Sequence, residues 1–255
     1  MRKCFVVTAM VVMMALTAAE AGAQSSWAPL GGRVIFSVNG GAQIGNQDVD
    51  ETTTFTLYDE PATIDFNQKI ESGALLDIGG ALRLKPIGGF GVGLTYTSLS
   101  SREAASITGS LPNPLVFDRP RSFSVTTDGL EHKEQAVHIQ ALWFMPFVEK
   151  VDFMFSAGPS FFTVTQGFAR GVTFTENPPS FDTVTIDAVD VATLEESAVG
   201  FNLGADATYS FTPMLGVGAM MRFTWGTANF NLAEGQDAEV RAGGFQIGAG
   251  LRLRF

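Results

Sequence analysis

Cysteine is almost missing from this chain: Cys4 is the only one in 255 residues. A disulfide framework and a thiolate metal centre are excluded, and a lipid-anchored form would need its cysteine at the processing site. Charge is scarce as well, at 16% of residues where an ordinary soluble domain carries about 25%. Basic residues are the scarcer kind, with 16 Lys and Arg against 26 Asp and Glu and a formal net charge of −10. That balance argues against nucleic acid, because phosphate neutralisation needs a basic face. Beyond residue 23 no apolar run approaches the roughly 18 residues of a membrane-crossing helix. Yet 45% of the chain is hydrophobic, too much for a disordered segment.

Part of that hydrophobicity lies at the start. Arg2 and Lys3 precede a mostly apolar stretch from Phe5 to Leu16, and Ala21-Gly22-Ala23 is a small-residue cleavage site. Residues 1–23 therefore read as a secretory signal peptide. Cleavage would leave 24–255 as one domain with 14 basic and 25 acidic residues, a net charge of −11.

The remaining apolar residues recur with period two. Leu76, Ile78 and Leu82 alternate with Leu75, Asp77, Gly79 and Arg83; Val137, Ile139 and Trp143 alternate with His138, Gln140 and Leu142. The same alternation marks segments around Val34–Val38, Phe90–Thr97, Val151–Phe161, Val199–Tyr209, Leu215–Trp225 and Phe245–Phe255, which makes eight predicted strands. Their connections alternate too. Short turns fall at 85–89, 146–150 and 212–213, and long polar stretches at about 46–68, 102–129, 167–196 and 229–241. An even-stranded membrane barrel with tight periplasmic turns, long external loops and both termini on the periplasmic side has this asymmetry. A soluble eight-stranded calyx also alternates, but its inner face should be apolar. Here the second face holds Asp77, Arg83, His138, Gln140, Asp206, Arg222, Arg252 and Arg254, which suits a polar lumen. The expected fold is all-β: an eight-stranded antiparallel transmembrane β-barrel in an up-and-down meander.

The closing segment Gly244-Phe245-Gln246-Ile247-Gly248-Ala249-Gly250-Leu251-Arg252-Leu253-Arg254-Phe255 resembles the terminal strand of bacterial outer-membrane β-barrel proteins, specifically the small OmpA/OmpX-type barrel domain. The resemblance covers essentially all of 24–255. It implies an outer-membrane location, surrounding lipid and delivery by the barrel assembly machinery, with Phe255 as the assembly signal. It implies no one activity, since such barrels serve structural, adhesive and transport roles. The chain differs from OmpA proper in ending at the barrel, so the peptidoglycan-binding domain is not expected.

Candidate chemistry is thin. Gly88-Gly89-Phe90-Gly91-Val92-Gly93 lacks the dinucleotide spacing and leads into a strand, so it reads as close packing inside a narrow barrel. His132, Glu134 and His138 share a strand face, but without a third strong ligand they read as lumenal hydrogen-bonding groups. A nucleophile needs a base positioned by a third group, and neither His132-Lys133-Glu134 nor His138-Ile139-Gln140 resembles the His-x-Ser arrangement of barrel lipid A deacylases. The expectation is a non-enzymatic protein with no cofactor and no metal. Five lumen residues are ion-pair candidates: Asp77 and Arg222 at one height, with Arg83, Asp206 and Arg252 lower, because buried charges are costly unless paired. The first and third long stretches are acidic, and the second, Leu111 to Arg121, mixes prolines with apolar groups that either form a contact surface or fold over the barrel mouth. A structural or surface-interaction role through the external loops is expected; the alternatives are a narrow pore or transporter for a small or hydrophobic solute and, more weakly, a lipid-modifying enzyme.

Overall fold

The computed structural model describes residues 33–255 apart from 46, 71, 85–88 and 234–235. The signal segment 1–23 and most of the 85–89 turn lie outside the described residues. Ten strands are described: β1 (Val34–Ile44), β2 (Gln47–Leu57), β3 (Glu60–Ile70), β4 (Gly73–Arg83), β5 (Phe90–Leu111), β6 (Arg121–Val148), β7 (Val151–Glu176), β8 (Val184–Ser210), β9 (Leu215–Ala233) and β10 (Gln236–Arg254).

Eight of them form a closed antiparallel ring in the order β1-β4-β5-β6-β7-β8-β9-β10, with β10 returning to β1. Closure is sealed to the last residue: Phe255 donates its N–H to Val34 at 2.9 Å and accepts from the N–H groups of Arg33 and Val34 at 2.6 and 3.0 Å. Closing the ring satisfies every strand edge at this level, as a bilayer interior requires. The other two strands are a correction to the expected loops. The first long stretch folds as a β2–β3 hairpin, turned by Tyr58 and Asp59 at φ +54° and +62°, the double positive φ of a type I′ turn. β3 then takes over from β4 as the neighbour of β5, pairing Thr63 with Ser110 through Gln68 with Ala105.

The later long stretches are mostly strand as well. β6 has 28 residues, about 90 Å of chain at roughly 3.3 Å per residue, whereas a tilted spanning strand needs about 9–11. The surplus stands as an external wall above the membrane. Strand pairing satisfies its backbone, and the alternation there sets modest apolar residues against threonines and charges, a pattern that reads as polar.

In the spanning part, the outward positions of neighbouring strands form an apolar belt that includes Leu76, Ile78, Val92, Ile139, Leu203 and Leu251, all exposed. Aromatic pairs rim it on both sides: Trp143–Phe155 and Phe36–Phe255 towards the short turns, Phe201–Trp225 towards the wall. Apolar belts between aromatic girdles mark a lipid-facing barrel. Inside, the same strands bury Asp77, Thr97, His138, Gln140, Asn202 and Arg222. The chain is thus a transmembrane β-barrel, and the calyx alternative fails because its large apolar groups point out.

The external wall inverts that arrangement. Phe162, Val164, Phe168, Phe230 and Val240 form a buried apolar core inside it, and Phe66, Ile107 and Leu130 a second one. A β-bulge helps to make the switch. In β6, Asp128 and Gly129 together oppose the single residue between Glu103 and Ala105 of β5, and Gly129 has φ +79°. The extra residue reverses which parity faces inward. Phe123 and Val125 therefore pack inside, while Val137 and Ile139 at the same parity face lipid.

Candidate functional site

The lumen of the spanning part is filled by polar side chains joined into several hydrogen-bonded sets. Arg222 on β9 donates to Asp77 on β4 at 2.8 Å. Asn39 on β1 donates to the other Asp77 oxygen at 2.6 Å, and its own carbonyl oxygen accepts from Arg252 on β10. Arg252 in turn pairs with Asp206 on β8. The structure thus brings four of the five lumen candidates into one chain, Arg222–Asp77–Asn39–Arg252–Asp206, in which Asn39 joins the two ion pairs.

Arg83 is placed differently. Its guanidinium lies over the Phe144 ring, 4.2 Å from the centroid, while Asp206 is engaged by Arg252. A further pair, Arg254 with Asp152, was not among the candidates, although strand parity already put both residues on the inner face. Beside Asp206 and Arg252 lies a gap of about 40 Å³, room for only a few waters.

Nearer the wall, His138 bonds Ser160 at 2.7 Å and Thr97 at 3.1 Å. His132 bonds Gln166 at 2.6 Å and Glu134 at 3.0 Å. Glu134 crosses the interior to accept the Gly243 N–H at 2.9 Å and the Gln43 amide at 3.2 Å. The two histidines thus belong to separate hydrogen-bond sets. Among the described residues no three His, Cys, Asp or Glu side chains come together as a metal site. Beside Glu134 lies a cavity of about 220 Å³, and beyond it the apolar core fills the wall, with Phe168 against Phe230 at 5.1 Å.

The outer end of the wall is clamped. Arg121, buried at the start of β6, bonds the Glu176 carboxylate, the Pro112 carbonyl and, at 3.2 Å, the Phe181 carbonyl. Tyr58 of the β2–β3 turn donates to Glu176 at 3.1 Å. Asn113 donates to Phe181 at 3.0 Å, and the Asp118 N–H bonds the Glu60 carboxylate at 3.1 Å. Three external connections are thereby tied together. The Arg121 guanidinium holds the Glu176 carboxyl below the usual carboxylate range, with the Tyr58 bond acting in the same sense; burial raises the Tyr58 phenol, as does its bond to Glu176. Within the second connection Leu111 and Asn113 are buried, whereas Leu115 and Phe117 are exposed at 67% and 76%.

The external wall is strongly acidic. Segments 45–72, 98–134, 165–198 and 226–244 carry 21 Asp and Glu against 7 Lys and Arg, while the rest of 24–255 carries 4 against 7.

No family model matches this chain, and no curated protein matches it. Among solved structures it is similar to Neisserial surface protein A, at 12% identity over 87% of this chain and 96% of that one, with a TM-score of 0.45. It is also similar to the outer membrane protein OprG from Pseudomonas aeruginosa (9% identity, 88% and 96% coverage, TM-score 0.44). A third similar structure is Ail, the attachment invasion locus protein of Yersinia pestis (9%, 86% and 98%, TM-score 0.36). The barrel's closure and lipid-facing belt rest on this chain's own geometry and not on that likeness.

Proposed function

We propose that this protein is a non-conducting, non-enzymatic barrel of a bacterial outer membrane that displays a rigid acidic wall for contacts outside the cell. In this reading residues 1–23 direct export and are removed, the barrel assembly machinery inserts 24–255, and outer-membrane lipid surrounds the belt. The observation that carries the reading is the filled interior: Arg252, Asp206 and Asn39 occupy the lumen of the spanning part, and Phe168 and Phe230 occupy the wall above it. An eight-stranded barrel has room for side chains but not for a wide channel as well. The wall, by contrast, is far longer than membrane crossing needs, and its ends are fastened by Arg121 and Glu176.

Planar-bilayer recording of the purified protein tests this. No stable openings are expected from the unmodified chain, and steady single-channel steps would replace the display reading with the transporter one.

A further inference from the structure

We infer that the seam between β2 and β10 is a docking site for an extended peptide whose side chains alternate between basic and apolar, taken up as an added strand. This rests on reading the wall as an interaction surface and names the class of partner. Beyond Ile44, where β1 ends, β10 is laddered to β9 on one side only, and β2 is laddered to β3 on one side only. Two strand edges therefore face each other, close enough at the base for the Gln47 side chain to reach the Arg241 backbone. Among the described residues no ladder joins them.

Such edges are templates for a further strand. At the base of the seam, side chains already stand in for one. With its amide oriented to match, Gln47 accepts from the Arg241 N–H at 2.8 Å and donates to the Arg241 carbonyl at 2.9 Å. Glu134 and Gln43 bond the N–H and carbonyl of Gly243 at 2.9 and 3.1 Å. Peptide groups two residues apart on a strand point the same way, so Glu239 is the next residue of β10 to present its backbone to the seam. Among the described residues no side chain caps it as Gln47 caps Arg241.

The flanking side chains specify the occupant. Val49, Ala238 and Val240 are buried on the inner side, so one face of an added strand would meet apolar core. Asp48, Asp50 and Glu239 are exposed on the outer side, with Arg241 as the basic exception at the base. The other face should therefore carry lysine or arginine. A second copy of this chain is the poorer fit, because its β2 would bring Asp48 and Asp50 against the same acids.

The experiment uses the whole barrel in lipid nanodiscs and an 11-residue peptide of alternating lysine and valine, the length of β2. One control peptide replaces lysine with glutamate; another keeps every lysine but is N-methylated at alternate residues, which removes pairing along one edge at unchanged charge. The lysine–valine peptide should bind and slow hydrogen exchange at Glu239 and along β2. N-methylation, or the double variant D48K/D50K with unchanged heat-modifiable gel mobility, should each weaken binding by about tenfold or more. Equal binding of the N-methylated peptide, no exchange protection, dimerisation through this edge or no binding at all would each overturn the inference. A silent bilayer recording alongside a failed peptide would leave the display reading standing and remove only the seam.

Discussion

Glu134 on β6 and Gly243 on β10 meet across the interior, carboxylate to backbone N–H, at 2.9 Å. Their contact lies where the polar lumen gives way to the apolar core, and it fastens opposite sides of the barrel at that height. Glu134 also accepts from Gln43 and bonds His132, so one buried carboxylate serves three strands. Replacing it with glutamine keeps the shape but removes the charge. E134Q should lose about 1.5–3 kcal/mol, the range for hydrogen bonds to a charged group, measured by denaturant unfolding in detergent micelles.

Arg222 and Asp77 form the pair most dependent on burial, with Asp77 exposed by only 1%. Removing one partner orphans the other. R222A should destabilise the barrel by roughly 3–5 kcal/mol, while D77N/R222M should recover part of that loss. A change under about 0.5 kcal/mol in the single variant, the range of surface substitutions, would mean that the lumen is hydrated.

Acid should loosen the clamp at the outer end of the external wall. The Glu176 carboxyl is held below its ordinary range by Arg121. A depressed folded-state pKa stabilises above the unfolded value and is lost as pH falls through the folded one. The three clamped connections should therefore gain protease sensitivity only at pH below the usual carboxylate range. E176Q should be sensitive at neutral pH already, which limited proteolysis across pH reads directly.

Phe255 contributes backbone closure with Val34 and an edge-on contact with Phe36 at 6.2 Å. Deleting it should sharply lower outer-membrane levels in cells, because the terminal aromatic is expected to be read by the assembly machinery before folding. Refolding of the purified protein into detergent should survive largely intact. Normal cellular levels would remove the signal role, and equal failure in both settings would assign the loss to burial and closure alone.

The alternation around Asp77, His138, Arg222 and Arg252 determined by itself that strands cross the membrane, which face meets lipid and which residues enter the lumen, because a strand's side-chain period of two transmits parity directly. Pairing was another matter. Counting from the short turns puts Asp77 and Arg222 at one height although they are 145 residues apart in the chain, but which partner each lumen charge takes depends on strand register, which parity does not set. The same register gives Asp206 to Arg252, sets Arg83 over Phe144 and matches Arg254 with Asp152. Only the tertiary structure decided the wall. There the bulge at Asp128-Gly129 turns Phe123 and Val125 inward although Val137 and Ile139 of equal parity face outward. The physical reason is one inserted residue, which costs no sequence signal beyond a glycine yet exchanges the two faces of every position before it.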